Sequence, residues 1–143
     1  MTNVTPFLVL AGTLMGEAST EGAIGMRGVA SVIWERAEDR SPEGLARTCL
    51  APKQFSCWNG AGGRALALRV WGWEQKAEHA RPSAYAAARR IAAEMAVGAF
   101  HPLPGLVGCR HYHRFDCTPA WAKKMPVVMG IGAHVFRAER RGR

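Results

Sequence analysis

Residues 5–21 read Thr5-Pro6-Phe7-Leu8-Val9-Leu10-Ala11-Gly12-Thr13-Leu14-Met15-Gly16-Glu17-Ala18-Ser19-Thr20-Glu21, and the rest of the chain is best read outward from them. Thr5 suits the cap of a helix and Pro6 its first turn, so a short helix is expected to run through the apolar stretch 7–15. Gly16-Glu17-Ala18-Ser19-Thr20 is expected to end it. Glu17 then stands at a loop beside hydrophobic walls. A carboxyl desolvated in this way has its pKa pushed up and becomes a proton donor near neutral pH. The plainer reading is a helix-terminal Glu, or a first-turn Glu favoured by the next helix's dipole. Glu21, four residues on, shares a face with Glu17 if the turn is helical; taken alone, it reads as a cap.

Downstream, a second helix is expected over about residues 21–38, with Ile24, Gly28, Val32 and Ile33 along one face. Ser41-Pro42-Glu43 opens a brief third helix. Residues 64–80 carry Leu66, Val70, Trp73 and Ala77 at helical spacing, and residues 83–97 form an alanine-rich helix stopped by Gly98. The last third changes character. Pro102, Pro104, Gly105 and Gly108 break any helix. Residues 109–113 and 133–137 are the strand candidates, with one helical turn starting at Thr118-Pro119. The expected class is α+β, mainly helical, with a small antiparallel sheet resting on helices.

The chain has 143 residues, 48% hydrophobic and 21% charged, which suits one globular domain spanning 1–143 and argues against general disorder. No window reaches the ~18–20 apolar residues of a membrane-spanning helix, and no Lys or Arg precedes the first apolar run as a signal peptide would require. Nineteen Lys and Arg against eleven Asp and Glu leave +8 with a pI near 10.0. Such a field attracts polyanions, including anionic cell-envelope surfaces; the densest cluster is the basic tail 137–143, with Arg137, Arg140, Arg141 and Arg143. No zinc-finger or RNP-like spacing accompanies it, so specific nucleic-acid binding is not expected. The cysteines form two C-x7-C pairs, Cys49/Cys57 and Cys109/Cys117. That spacing is too wide for usual zinc sites, and four cysteines allow three disulfide pairings among which sequence does not choose.

Two further clusters carry chemistry. Gln54-Phe55-Ser56-Cys57-Trp58-Asn59 mixes amides, a hydroxyl and aromatics in a loop, the mixture that binds sugar rings; a buried aromatic anchor with an Asn59-Gly60 turn is the structural alternative. His111-Tyr112-His113, with Trp121 and His134, invites a metal because H-x-H on a strand places both rings on one face. No carboxylate-rich surround supports it, and neither metal nor cofactor is expected.

These pieces together resemble the SleB/CwlJ-like cell-wall hydrolases. Gly16-Glu17-Ala18 through Glu21, followed by Val29 through Arg36, is similar to the family's G-E-A…G-E opening and its apolar helix ending in N-R. Gln54-Phe55-Ser56 resembles its Q-F-S segment. His111-Tyr112-His113…Pro119-Ala120-Trp121…Ile131-Gly132-Ala133-His134-Val135-Phe136 resembles its Y-H…P-x-W…I-G-x-H-x-F ending. The likeness covers about residues 10–137. It implies a lysozyme-type fold related to lytic transglycosylases, with Glu17 as catalytic acid/base on a peptidoglycan glycan strand. It also implies that Glu21 orients the site or holds substrate, that Gln54, Ser56, Tyr112, His113 and Trp121 line the glycan groove, and that His134 holds the last strand. Trp58 and Asn59, beside the Q-F-S segment, join the groove candidates. Glu35 replaces the family's usual Asn. Pointed at Glu17 it would raise one of the two pKa values; pointed outward it would do nothing.

The implied reaction is cleavage of the β-1,4 bond between N-acetylmuramic acid and N-acetylglucosamine, closing a 1,6-anhydro ring with Glu17 alone. Hydrolytic glycosidases use two carboxylates roughly 5–9.5 Å apart, and Glu21, Glu35 and Asp116 keep that muramidase alternative open. A zinc amidase using His111, His113 and a further Cys or His, and a non-enzymatic envelope- or nucleic-acid-binding module, are the rivals. The expected form is a monomer resembling a phage or prophage endolysin, made in the host cytoplasm and acting on the wall after membrane disruption.

Overall fold

The computed structural model describes residues 5–139 except Lys53. The first helix, α1 (Pro6–Ala18), is capped as expected, the Leu8 amide donating to Thr5 Oγ1 at 3.3 Å with Pro6 in the first turn. It packs against all four other helices, and Leu10, Ala11 and Leu14 are fully buried. Truncating either leucine would cost about 2–5 kcal/mol.

Gly16 does not end α1, which runs on to Ala18. Both Gly12 and Gly16 serve close packing instead. A Cβ on Gly12 would lie 2.8 Å from the Trp58 ring, and one on Gly16 would lie 2.5 Å from Cys57 Cβ. The short 3-10 turn Ser56–Trp58 therefore presses directly on the helix, and Glu17 stands in the last helical turn rather than in a loop.

The second helix, α2 (Gly22–Arg36), buries Met26, Val29, Val32 and Ile33, whereas Ile24, expected inside, is 61% exposed. It is tied to α5 (Ser83–Ala96) by the bidentate Arg27–Glu94 pair at 2.7 and 2.9 Å. Between them in sequence lie α3 (Pro42–Leu50), whose amide at Gly44 donates to the Ser41 cap at 3.1 Å, and α4 (Gly60–Gln75). The fourth helix begins and ends about four residues earlier than its apolar spacing implies, and Ala77 lies beyond it. Gly98, with φ 74°, follows the end of α5 as expected.

Three strands form the sheet where two were expected: β1 (His111–Arg114), β2 (Val127–Ile131) and β3 (His134–Arg137), antiparallel in the order β1-β3-β2. The sheet rests on α2 through Phe136, which is fully buried and whose ring would lie 2.7 Å from a Cβ at Gly28. Of the basic tail, Arg137 is not a solvated charge: its guanidinium donates to the carbonyls of Ala122 and Met125, both at 2.8 Å. Arg140, Arg141 and Arg143 lie outside the described residues. Among the described residues no helix is long and apolar enough to cross a membrane.

Candidate active site

The end of α1 meets β1 through a side-chain hydrogen bond. Tyr112 Oη donates to Glu17 Oε1 at 2.9 Å. Burial pushes the Glu17 carboxyl above its ordinary value, while the Tyr112 hydrogen bond and the Arg36 charge pull it part of the way back. Its place at the C-terminal, partly negative end of a helix also favours the proton. Burial and the neighbouring carboxylate push the Tyr112 phenol well above its usual value, so it acts as a neutral donor. Edge-on contact with the His134 ring at 4.9 Å and packing on Phe136 at 5.7 Å hold it in place.

Arg36, the last residue of α2, supplies the positive charge. Nε donates to the Arg110 carbonyl at 2.6 Å, Nη1 donates to Gln54 Oε1 at 3.1 Å, and the guanidinium lies over the Phe55 ring at 5.2 Å. So fixed, it stabilises Glu17 once the carboxyl has lost its proton. Arg36, Gln54, His111, Tyr112, Trp121 and Met125 line a groove of about 360 Å³, with Glu17 hydrogen-bonded to its Tyr112 wall. Trp121 is exposed and packs its ring near those of His111 and His113, at 5.6 and 6.0 Å. The sequence candidates Glu17, Gln54, Tyr112 and Trp121 thus come together around Arg36.

Others go elsewhere. Glu21 does not cap α2 with its side chain; Oε2 accepts from the Ala133 amide at 3.0 Å and holds the β2–β3 turn. Trp58 turns its indole onto α1, Nε1 donating to Thr13 Oγ1 at 2.7 Å, so it anchors the Ser56–Trp58 turn rather than facing the groove. Ser56 and Asn59 are exposed on that same turn, outside the groove lining. His113 is buried and fully engaged: Nδ1 lies 2.7 and 3.0 Å from the carbonyls of Arg114 and Cys117, and Nε2 accepts from Arg137 Nε at 2.8 Å. It braces the sheet. His134 is buried on β3, and burial lowers its pKa against the opposing charge of Glu21.

Glu35 faces Arg40, at 3.8 Å, and Asp116 pairs with Arg114 at 3.4 Å on the surface. Neither shapes the Glu17 environment, whose charged and hydrogen-bonding neighbours are Tyr112 and Arg36. Among the described residues no three His, Cys, Asp or Glu side chains are placed to hold a metal ion together; His111 Nε2 meets Glu139 at 3.1 Å. All four cysteines are free thiols, and burial pushes Cys49 and Cys57 up to about 12. Arg36 is the site residue that local reading undervalued. It was legible only as the end of the α2 motif, nineteen residues from Glu17, because its side chain acts through the tertiary fold.

A family model described as Cell Wall Hydrolase matches residues 20–137. Comparison with curated protein sequences returns no match. Among solved structures, the chain is similar to the catalytic domain of the Bacillus cereus SleB protein, with a TM-score of 0.62 at 20% identity, covering 92% of this chain and 88% of that one. At that identity the likeness carries the fold: helices around a small antiparallel sheet. Glu17 precedes the segment that the family model matches, so the argument for its role comes from its geometry and from the motif around it.

Proposed function

We propose that this chain, which belongs to the cell wall hydrolase family, cuts the glycan strand of peptidoglycan between N-acetylmuramic acid and N-acetylglucosamine as a lytic transglycosylase. The observation that carries the reading is a single raised carboxyl, Glu17, facing a neutral phenol and a fixed guanidinium, with Glu21, Glu35 and Asp116 each engaged elsewhere. Protonated Glu17 donates to the glycosidic oxygen as the C1–O bond breaks and charge develops at C1. The resulting carboxylate, stabilised by Tyr112 and Arg36, takes the proton of the muramoyl 6-hydroxyl while that oxygen bonds to C1. The proton returns to Glu17, and no water is consumed. Trp121 offers an exposed ring face to a sugar, and Gln54 offers a polar edge.

We extend the proposal to a lysis role on the bacterial wall, supported by the +8 charge, which favours anionic envelope surfaces. Lytic activity on whole walls would then fall as salt screens that attraction over about 10 Å at 0.1 M.

The test is digestion of purified peptidoglycan by the wild type and by Glu17→Gln, followed by mass spectrometry of the released muropeptides. Products lighter by one water than their reducing-end equivalents, absent with the variant, are expected. Reducing-end muramic acid would make the enzyme a muramidase; glycans left intact by the wild type would refute glycosidic cleavage.

A further inference from the structure

A cavity of about 560 Å³ lies beside the groove, between the end of α2, α3 and the start of β1. It shares Arg36, Gln54 and His111 with the groove, so the cavity opens beside any polymer held against Tyr112 and Trp121. The volume falls in the ~300–1,000 Å³ range of small-ligand sites.

Its charges are mixed. Asp39 and Arg47 are paired at 2.8 Å, and His111 meets Glu139 at 3.1 Å. Arg110 and Glu38 also line the cavity, and neither side chain makes a hydrogen bond or ion pair with any described residue. Arg110 acts on the Glu139 carboxyl through its charge alone, so among the described residues Arg110 and Glu38 are a cation and an anion in one cavity whose hydrogen-bonding groups are open to a ligand. Glu38 and its acidic neighbours disfavour a simple polyanion, and a neutral sugar would engage neither charge. A short peptide carrying both carboxylates and an ammonium group complements both. In peptidoglycan such a peptide hangs from each muramic acid, next to the bond being cut.

We propose that this cavity binds the peptide stem of the substrate, with a stem carboxylate on Arg110 and a stem amine on Glu38, so that the enzyme selects glycans that carry uncross-linked stems. The proposal rests on the glycosidic reading in one respect only: a glycan in the groove is what delivers the stem to the cavity. Arg110 holds Arg36 through its carbonyl, not its side chain, so Arg110→Ala leaves that bond in place, and both residues are exposed, so folding is retained.

The test has two arms. Calorimetric titration with the free stem tetrapeptide that bears a diamino acid should show binding to the wild type, weakened about two- to fivefold by Arg110→Ala and by Glu38→Gln, as expected for loss of one solvent-exposed ion pair. In the second arm, strands bearing stems should be cut faster than strands stripped by an amidase, and both variants should shrink that ratio. No tetrapeptide binding by the wild type, or equal affinity in all three proteins, overturns the assignment. Tetrapeptide binding with the expected losses, but no cleavage of either glycan, would sink the glycosidic reading and leave the cavity assignment standing.

Discussion

Replacing Tyr112 with Phe isolates the contact on which the proposed acid depends. The ring keeps its packing on His134 and Phe136, while the 2.9 Å bond to Glu17 is lost. A hydrogen bond to a charged acceptor contributes about 1.5–3 kcal/mol and one to a neutral acceptor about 0.5–1.5 kcal/mol. Deletion therefore penalises the Glu17 carboxylate by about 1–1.5 kcal/mol more than the protonated acid. The carboxyl, already held above its ordinary value by burial, moves further up. Because the first chemical step needs Glu17 protonated, the alkaline limb of the kcat/KM profile should shift to higher pH. Initial rates of peptidoglycan clearance, measured from acid to mildly alkaline pH at constant ionic strength, read this directly. A limb that stays in place, or moves to lower pH, would refute the assignment of Glu17 as the acid tuned by Tyr112. Activity abolished at every pH with the fold intact would mean that the phenol itself serves the reaction and does more than tune Glu17.

Three other outcomes follow from the same structure. Glu17 is an acid with a raised folded-state pKa, so its contribution to stability is present below its unfolded value and lost as pH rises through the folded one; Glu17→Gln should therefore melt above the wild type at neutral pH, with the difference closing in acid. Glu21→Ala removes the bond to the Ala133 amide at the β2–β3 turn and should cost about 1–3 kcal/mol in denaturant unfolding while leaving the pH profile of activity in place; a shifted profile would return Glu21 to the chemistry. Gly28→Ala puts a Cβ 2.7 Å from the Phe136 ring, and calorimetry should find a loss of about 1–3 kcal/mol from overpacking as the sheet is pushed off α2.

How much of this was legible depends on the range of the interaction that decides each feature. Helix starts at Thr5-Pro6 and Ser41-Pro42 were readable because a cap and a proline act within three or four residues. The end of α1 was not. Gly16 looks like a breaker locally, but its missing Cβ admits Cys57, forty-one residues on. The second strand escaped for a related reason: Val127 and Val128 are exposed and Gly130 interrupts the alternation, so pairing with β3, not a buried face, makes that stretch a strand. The candidate site divides in the same way. Motif order was enough to nominate Glu17, Tyr112, Gln54 and Trp121, all of which the fold gathers. It also nominated Ser56, which lies outside the groove lining, and Glu21 and His113, which with Trp58, beside the Q-F-S segment, hold the turn, the sheet and the helix contact that give those residues their places. A motif records which side chains a site needs, without separating those that face the groove from those that brace it; only the partners of each polar atom make that division. Arg36 shows the consequence. Its guanidinium, bound to Arg110 and Gln54 and acting on Glu17, joins α2, the Gln54 loop and the residue that leads into β1 at one point, and through Glu17 acts on α1 as well, so its importance emerges only once those separate stretches of chain are in contact.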